Sequence, residues 1–284
     1  MVNNVLNRAG QQRLARFVCA SLFVVLLAGC AADIFSSDED VADRIARSFG
    51  WQKHTFNTDT FAIRGYLRRV KDSQRPLTVY LEGDGDAWIN EHQLAADPTP
   101  SKPLVLKLAV RHPGGNVLYL ARPCHYIQTA RCHPQFWSTH RFAPEIISST
   151  NQAIQRVKEK AGARSVRLVG WSGGGVIAAL LALRRNDVEE IITLGANLDH
   201  AYWTRMDRLT PLYGSLNPAD YAKTLQNISQ RHFIGANDVV VSPRVVKSYI
   251  NKMSDTSKTK FTILENFDHD CCWVEHWPQL LNRF

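Results

Sequence analysis

Ser165-Val166-Arg167-Leu168-Val169-Gly170-Trp171-Ser172-Gly173-Gly174-Gly175-Val176-Ile177-Ala178-Ala179 decides how this chain is read. Ser165 to Val169 is short, β-branched and apolar, and reads as a strand. Gly174 to Arg185 is apolar, begins with small residues, and reads as a helix. Between them lies Gly170-x-Ser172-x-Gly174. A strand, a tight turn centred on serine and a small-residue helix make a nucleophile elbow. Strain at the turn lifts Oγ above the sheet, and the flanking glycines let neighbouring backbone approach. The helix aims its first N–H groups at the place where an oxyanion would form. The rival reading is a glycine-rich phosphate loop. It lacks a Lys in the required spacing, and the fuller dinucleotide pattern is missing.

Outward from this stretch, strand-like and helix-like segments alternate from about residue 60 to the end. The strands read as Phe61 to Val70, Leu77 to Leu81, Asn116 to Ala121, Val188 to Leu194, Arg231 to Ile234 and Lys260 to Leu264. The helices read as Pro144 to Ala161, Pro243 to Met253 and Trp273 to Leu281, with Gly162 stopping the first. Such alternation predicts an α/β protein with a mostly parallel central sheet and helices on both faces. Ligands bind such sheets beyond the carboxyl ends of the strands. Asn197 to Asp220 is long and irregular, and is expected to form a small insertion over that end.

A serine hydroxyl needs an adjacent base. In chain order an acid and then a His should follow the nucleophile. Asp238 follows the Ile234 strand in Gly235-Ala236-Asn237-Asp238, and His269 follows the last strand in Phe267-Asp268-His269-Asp270. His269 would take the Ser172 proton, and Asp238 would fix its tautomer. Asp199 is the rival acid and His276 the rival base. An oxyanion hole needs two N–H groups. Gly173 supplies one, and Asp84, in the loop Glu82-Gly83-Asp84-Gly85-Asp86-Ala87-Trp88, is the expected second. That loop opens on Glu-Gly where lipases commonly carry His-Gly.

The chain opens with Arg8, Arg13 and Arg16, then an apolar run from Phe17 to Ala28 that ends in Leu27-Ala28-Gly29-Cys30. The run is shorter than the ~20 residues that span a bilayer and matches the apolar region of an export signal. Its end resembles the lipobox of bacterial lipoproteins. That resemblance implies cleavage before Cys30, diacylglyceryl and N-acyl chains (palmitate among them) on that residue, and membrane anchorage. Ala31 and Ala32, with no Asp directly after the Cys, imply by the same resemblance the outer membrane, facing the periplasm. The expected organisation is a lipoprotein signal peptide over 1–29, a lipidated N-terminus and polar tether over 30–50, and one domain over 51–284.

The formal net charge of +8 includes the three arginines of the export segment. Basic residues after it are scattered, so a nucleic-acid footprint is not expected. Besides the lipidated Cys30, four cysteines remain in the exported chain. In an oxidising compartment Cys124 and Cys132 close a short loop and form the expected disulfide. Cys271 and Cys272 are left as a vicinal disulfide or as free thiols. Zinc-ligand spacing is absent, and no metal or organic cofactor is expected.

From about residue 60 to the end the chain resembles the α/β-hydrolase superfamily. More closely, Glu82-Gly83-Asp84-Gly85, Arg122-Pro123-Cys124-His125-Tyr126, Gly170-Trp171-Ser172-Gly173-Gly174 and Asp268-His269-Asp270-Cys271-Cys272-Trp273 resemble a group of bacterial exported hydrolases. The resemblance implies the α/β-hydrolase fold and a Ser172–Asp238–His269 triad. The expected activity is serine hydrolysis of an ester or related acyl bond, esterase- or lipase-like, on a small-molecule or lipid acyl substrate. Peptidase or acyltransferase chemistry uses the same parts. A non-catalytic envelope binding protein on the same fold is the alternative of a different kind.

Overall fold

The computed structural model describes residues 37–68 and 75–282. The signal peptide and Cys30 lie outside the described residues. In chain order the elements are α1 (Asp38–Ser48), β1 (Gln52–Asn57), β2 (Ala62–Arg68), β3 (Leu77–Leu81), β4 (Trp88–Asn90), β5 (Gln93–Leu94), α2 (Leu104–Ala109), β6 (Asn116–Leu120), α3 (Pro144–Ala161), β7 (Val166–Trp171) and α4 (Gly173–Ala182). There follow β8 (Val188–Leu194), α5 (His200–Met206), α6 (Ala222–Leu225), β9 (Ser229–Gly235), α7 (Pro243–Ile250), β10 (Thr259–Leu264) and α8 (Trp273–Asn282). Eight strands form one sheet in the order β1-β2-β6-β3-β7-β8-β9-β10, and β4 and β5 form a separate hairpin. β2 runs antiparallel to both β1 and β6, and every pairing from β6 to β10 is parallel.

Strand periodicity divides the core between two faces. Leu77, Val79 and Leu81 of β3 point to one face with Leu118, Leu120, Leu168 and Ile191. There they meet Ile146, Ile147 and Ile154 of α3, the whole of α4 and Val245 and Val246 of α7. Tyr80 points to the other face with Tyr119, Val169 and Ile192, against Leu106 and Leu108 of α2 and Trp273 and Trp277 of α8. Trp277 Nε1 donates to the Tyr80 hydroxyl at 2.8 Å, which satisfies a buried indole inside that packing.

Parallel register aligns the strand ends. Leu81 lies beside Gly170, Trp171 beside Leu194, Leu194 beside Phe233, and Leu264 beside Gly235. The loops after β3, β7, β8, β9 and β10 therefore leave the sheet at a single rim.

The reading did not foresee β1, the β4–β5 hairpin or α2, and it differs at two further stretches. The acidic stretch expected to be tether is helical from Asp38. Ser37 caps it, with a reciprocal Ser37–Asp40 capping box, and Ala42 and Ala46 are buried. Its acids face the basic side chains of the first two strands: Glu39 meets Arg64 at 2.8 Å, and Asp43 meets Lys53 at 2.7 Å and the Tyr66 hydroxyl at 2.6 Å. The stretch is thus packed on the first two strands, because those charges have partners that local composition does not reveal. The Asn197–Asp220 insertion is partly helical. It carries α5, and Trp203 Nε1 donates to Val240 O at 2.9 Å, tying it to the loop after Asp238. No described helix is long and apolar enough to cross a membrane.

Four buried imidazoles, His112, His125, His200 and His232, oppose acid, and burial holds His200 below its ordinary value as well. Burial holds His112 down to about 4, with Arg68 and Arg167 adding to it. Burial holds His125 and His232 at about 3, with Arg122 contributing at His125. Each is neutral in the folded chain and takes a proton on unfolding below about pH 6.5. The stability that each contributes is present above that pH and is lost as pH falls towards its folded value. Glu82 works the other way: burial raises its carboxyl from 4.5 to about 7, so its contribution is present at low pH and lost as pH rises through 7. Together they outweigh Glu82, so unfolding free energy in urea is expected to be about 5 kcal/mol lower at pH 4.5 than at pH 7. Equal stability at the two values contradicts this.

Candidate active site

The turn after β7 has the strain expected of an elbow. Ser172 sits at φ 52° and ψ −125°, a region that non-glycine residues rarely occupy. Its N–H donates to Leu194 O at 2.9 Å, which pins the turn to β8. Gly174 supplies the close approach: a Cβ there would lie 2.1 Å from Leu81 O. Only hydrogen lets α4 start this near β3.

Three loops then converge. His269 Nε2 lies 3.1 Å from Ser172 Oγ, and His269 Nδ1 lies 2.9 Å from Asp238 Oδ2. Asp238 is buried, and its other oxygen accepts N–H groups from Val240 at 3.0 Å and Val241 at 2.7 Å. One carboxylate oxygen is thus spent on the backbone, which aims the other at the imidazole. Trp171 and Trp273 both donate through Nε1 to His269 O at 2.9 Å, so two indoles hold the backbone of the His loop. The Trp171 ring stands 5.1 Å from the imidazole, centroid to centroid.

The rivals lie elsewhere. Asp199 caps α5 and pairs with Ser248 at 2.6 Å and Lys252 at 3.0 Å. His276 bonds Cys272 O at 2.9 Å through Nδ1. Asp268 accepts N–H groups from Asp270 and Cys271 rather than from His269.

Asp84 follows β3 and stands over the residue after the serine. A Cβ on Gly173 would fall 2.0 Å from Asp84 Oδ1. Burial alone would raise this carboxyl, but Arg141 and Arg122 hold it down to about 2. Glu82, at the lipase-like His position, is buried. It accepts the Gly83 N–H at 3.0 Å and the Tyr119 hydroxyl at 3.1 Å. The departure from His-Gly thus places a buried carboxyl where the lipase-like loop carries an imidazole.

Cys124 and Cys132 are joined as expected, and Cys271 and Cys272 form a vicinal disulfide two residues beyond the histidine. An open depression of about 510 Å³ lies beside His269, lined also by Asn237, Val239, Val240, Asp268, Asp270 and Cys271. Among the described residues no group of three or more His, Cys, Asp or Glu is placed to hold a metal ion.

Sequence reasoning overlooked Gly195, Arg122 and Arg141. Gly195 has φ 54°, and a Cβ there would lie 3.1 Å from Asp238 Oδ2 and 3.3 Å from His269 Nδ1. Any side chain would press on the acid–base pair, and only the position of this glycine at the end of β8 hinted at that.

With this geometry in hand, the chain is defined as an α/β-hydrolase-fold protein that brings a serine, a histidine and an aspartate together at the carboxyl rim of its sheet. Solved structures share that fold. An esterase from Pyrococcus furiosus aligns with a TM-score of 0.58 at 12% identity, over 83% of this chain and 90% of that one. An alpha-beta serine hydrolase homologue from Coxiella burnetii aligns at 0.55 and 14% identity, over 82% and 94%. An acylaminoacyl peptidase from Pyrococcus horikoshii aligns at 0.57 and 12%, over 81% of this chain but 39% of its own length. No protein-family model matches the chain, and no curated protein sequence matches it.

Proposed function

We propose that the chain is a serine hydrolase that cleaves an ester or related acyl bond through an acyl-enzyme on Ser172. The observation that carries this reading is the continuous path from Ser172 Oγ through His269 to Asp238, at 3.1 Å and 2.9 Å. His269 takes the hydroxyl proton as Oγ attacks the acyl carbon, then returns it to the departing alkoxide or amine. Asp238 keeps the Nδ1 proton in place and stabilises the imidazolium. The N–H groups of Gly173 and Asp84 receive the oxyanion. Water repeats the sequence and frees the acid.

Esterase- or lipase-like activity on a small-molecule or lipid acyl substrate is the first reading, and peptidase or acyltransferase chemistry would use the same parts. A purely binding role would leave the strained serine and its proton path without a use.

The lipobox-like Leu27-Ala28-Gly29-Cys30 extends the proposal to a lipid anchor on Cys30 and a place at the outer membrane facing the periplasm. Two measurements test the whole. The chain without residues 1–30 is expected to turn over nitrophenyl esters of graded acyl length with a first-turnover burst. No turnover across the series, together with no labelling by a fluorophosphonate, removes the hydrolase reading. Cys30→Ser protein is expected in the soluble fraction, and its persistence in membranes removes the anchor.

A further inference from the structure

Beside the proposed nucleophile lies a charge cluster that no step above uses. Asp84 Oδ1 accepts a hydrogen bond from Arg122 Nη1, and Oδ2 accepts one from Arg141 Nη1 at 2.6 Å. Arg122 is 5% exposed and Arg141 8%. Arg122 Nη2 donates to Arg141 O, and its guanidinium covers the Phe142 ring at 5.4 Å. Arg141 Nε donates to Ser138 O at 2.8 Å. On the far side the loop is closed by Gly85 at φ 68°, where a Cβ would meet Pro98 O at 2.0 Å.

The place of this cluster is its main feature. The Gly173 Cβ position lies 2.0 Å from Asp84 Oδ1 and 3.0 Å from Arg122 Nη1, so carboxylate and guanidinium both touch the residue after Ser172. A buried ion group is a poor way to gain stability, because desolvation offsets most of the attraction. An isolated carboxylate here would oppose the oxyanion, whereas two guanidiniums against one carboxylate leave an excess positive charge beside it.

We propose that Arg122 and Arg141 are positioning residues for the oxyanion hole. They clamp Asp84 over Gly173, fix the peptide that the hydrolase reading takes as the second oxyanion donor, and neutralise the carboxylate beside it. This rests on the serine hydrolase reading and adds to it the residues that shape the hole.

The test is a steady-state double-mutant cycle on a nitrophenyl ester that wild type turns over. Arg122→Met is expected to lower kcat about 100-fold, the size of one lost oxyanion donor, with KM within about threefold of wild type. Arg141→Met is expected to lower kcat about tenfold, since Arg122 still holds the other oxygen. In the Asp84→Asn background the charge to be neutralised is gone. Asp84→Asn/Arg122→Met is therefore expected to recover at least about tenfold over Arg122→Met alone. A packing role for Arg122 predicts no such recovery. Wild-type kcat in both arginine variants, or additive losses across the cycle, overturns the proposal. If Arg122→Met does not fold, Arg141→Met and Asp84→Asn/Arg141→Met carry the same comparison. Turnover by wild type is the control: its absence is a failure of the hydrolase reading, and its presence beside unaffected arginine variants is a failure of this inference alone.

Discussion

Ser172→Ala is expected to lower kcat on acyl esters by about 10⁴- to 10⁶-fold, with KM and thermal stability little changed. The size of the loss follows from what Oγ does. His269 Nε2 lies 3.1 Å from it, and without it water would have to attack unaided. The residual rate reflects the oxyanion hole and binding, which the substitution leaves intact. Stability is expected to hold because Ser172 joins the fold through its backbone. Its N–H bonds Leu194 O and its carbonyl accepts the Gly175 N–H, and alanine keeps both. Relief of side-chain crowding is small, since the strained φ of 52° penalises alanine and serine alike. A Ser172→Ala enzyme with kcat within tenfold of wild type would place the nucleophile elsewhere.

Asp238→Asn is expected to cost about 10⁴-fold in kcat, a loss far larger than the change of one atom suggests. The surroundings of the residue explain why. Oδ1 is held by the N–H groups of Val240 and Val241, and an asparagine carbonyl oxygen fits that role unchanged. The amide nitrogen must then replace Oδ2, 2.9 Å from His269 Nδ1. It donates where the carboxylate accepted. That forces the imidazole proton onto Nε2, and Nε2 can no longer accept from the serine. The structure should survive with the proton path reversed. A pH–rate profile of the variant should show activity recovering only at high pH, where the serine alkoxide forms unaided. Full activity near neutral pH would mean that another acid orients the histidine.

How much of this was legible in the sequence depends on how local each signal is. The bounds of β3, α3 and β8 follow from periodicity and flanking residues alone: Leu77–Leu81, Pro144–Ala161 and Val188–Leu194 are as read. Ser172, Asp238 and His269 were legible for a related reason. Each follows a strand, and parallel register carries strand ends to one rim. The place of Asp84 beside Gly173 was legible on the same ground.

What was hidden depended on partners distant along the chain. α1 looked like tether because Asp38, Glu39, Asp40 and Asp43 read as solvated charges, and only folding brings Arg64, Lys53 and Tyr66 to them. β1 is an edge strand with exposed and half-buried residues alternating, so it offers little apolar contrast. α2 has only six residues and begins after Pro103 with no side-chain cap, so it carries little helical signal. Arg122 and Arg141 gave no sign of serving Asp84, because 38 and 57 residues separate them from it.

Mass spectrometry of the intact chain after reaction with a fluorophosphonate tests the central claim most directly. The account predicts one adduct per chain, found on the peptide that contains Trp171-Ser172-Gly173, slowed in Asp238→Asn and absent in Ser172→Ala. An active preparation that takes up no phosphonate, or one that carries the adduct equally in Ser172→Ala, would contradict it.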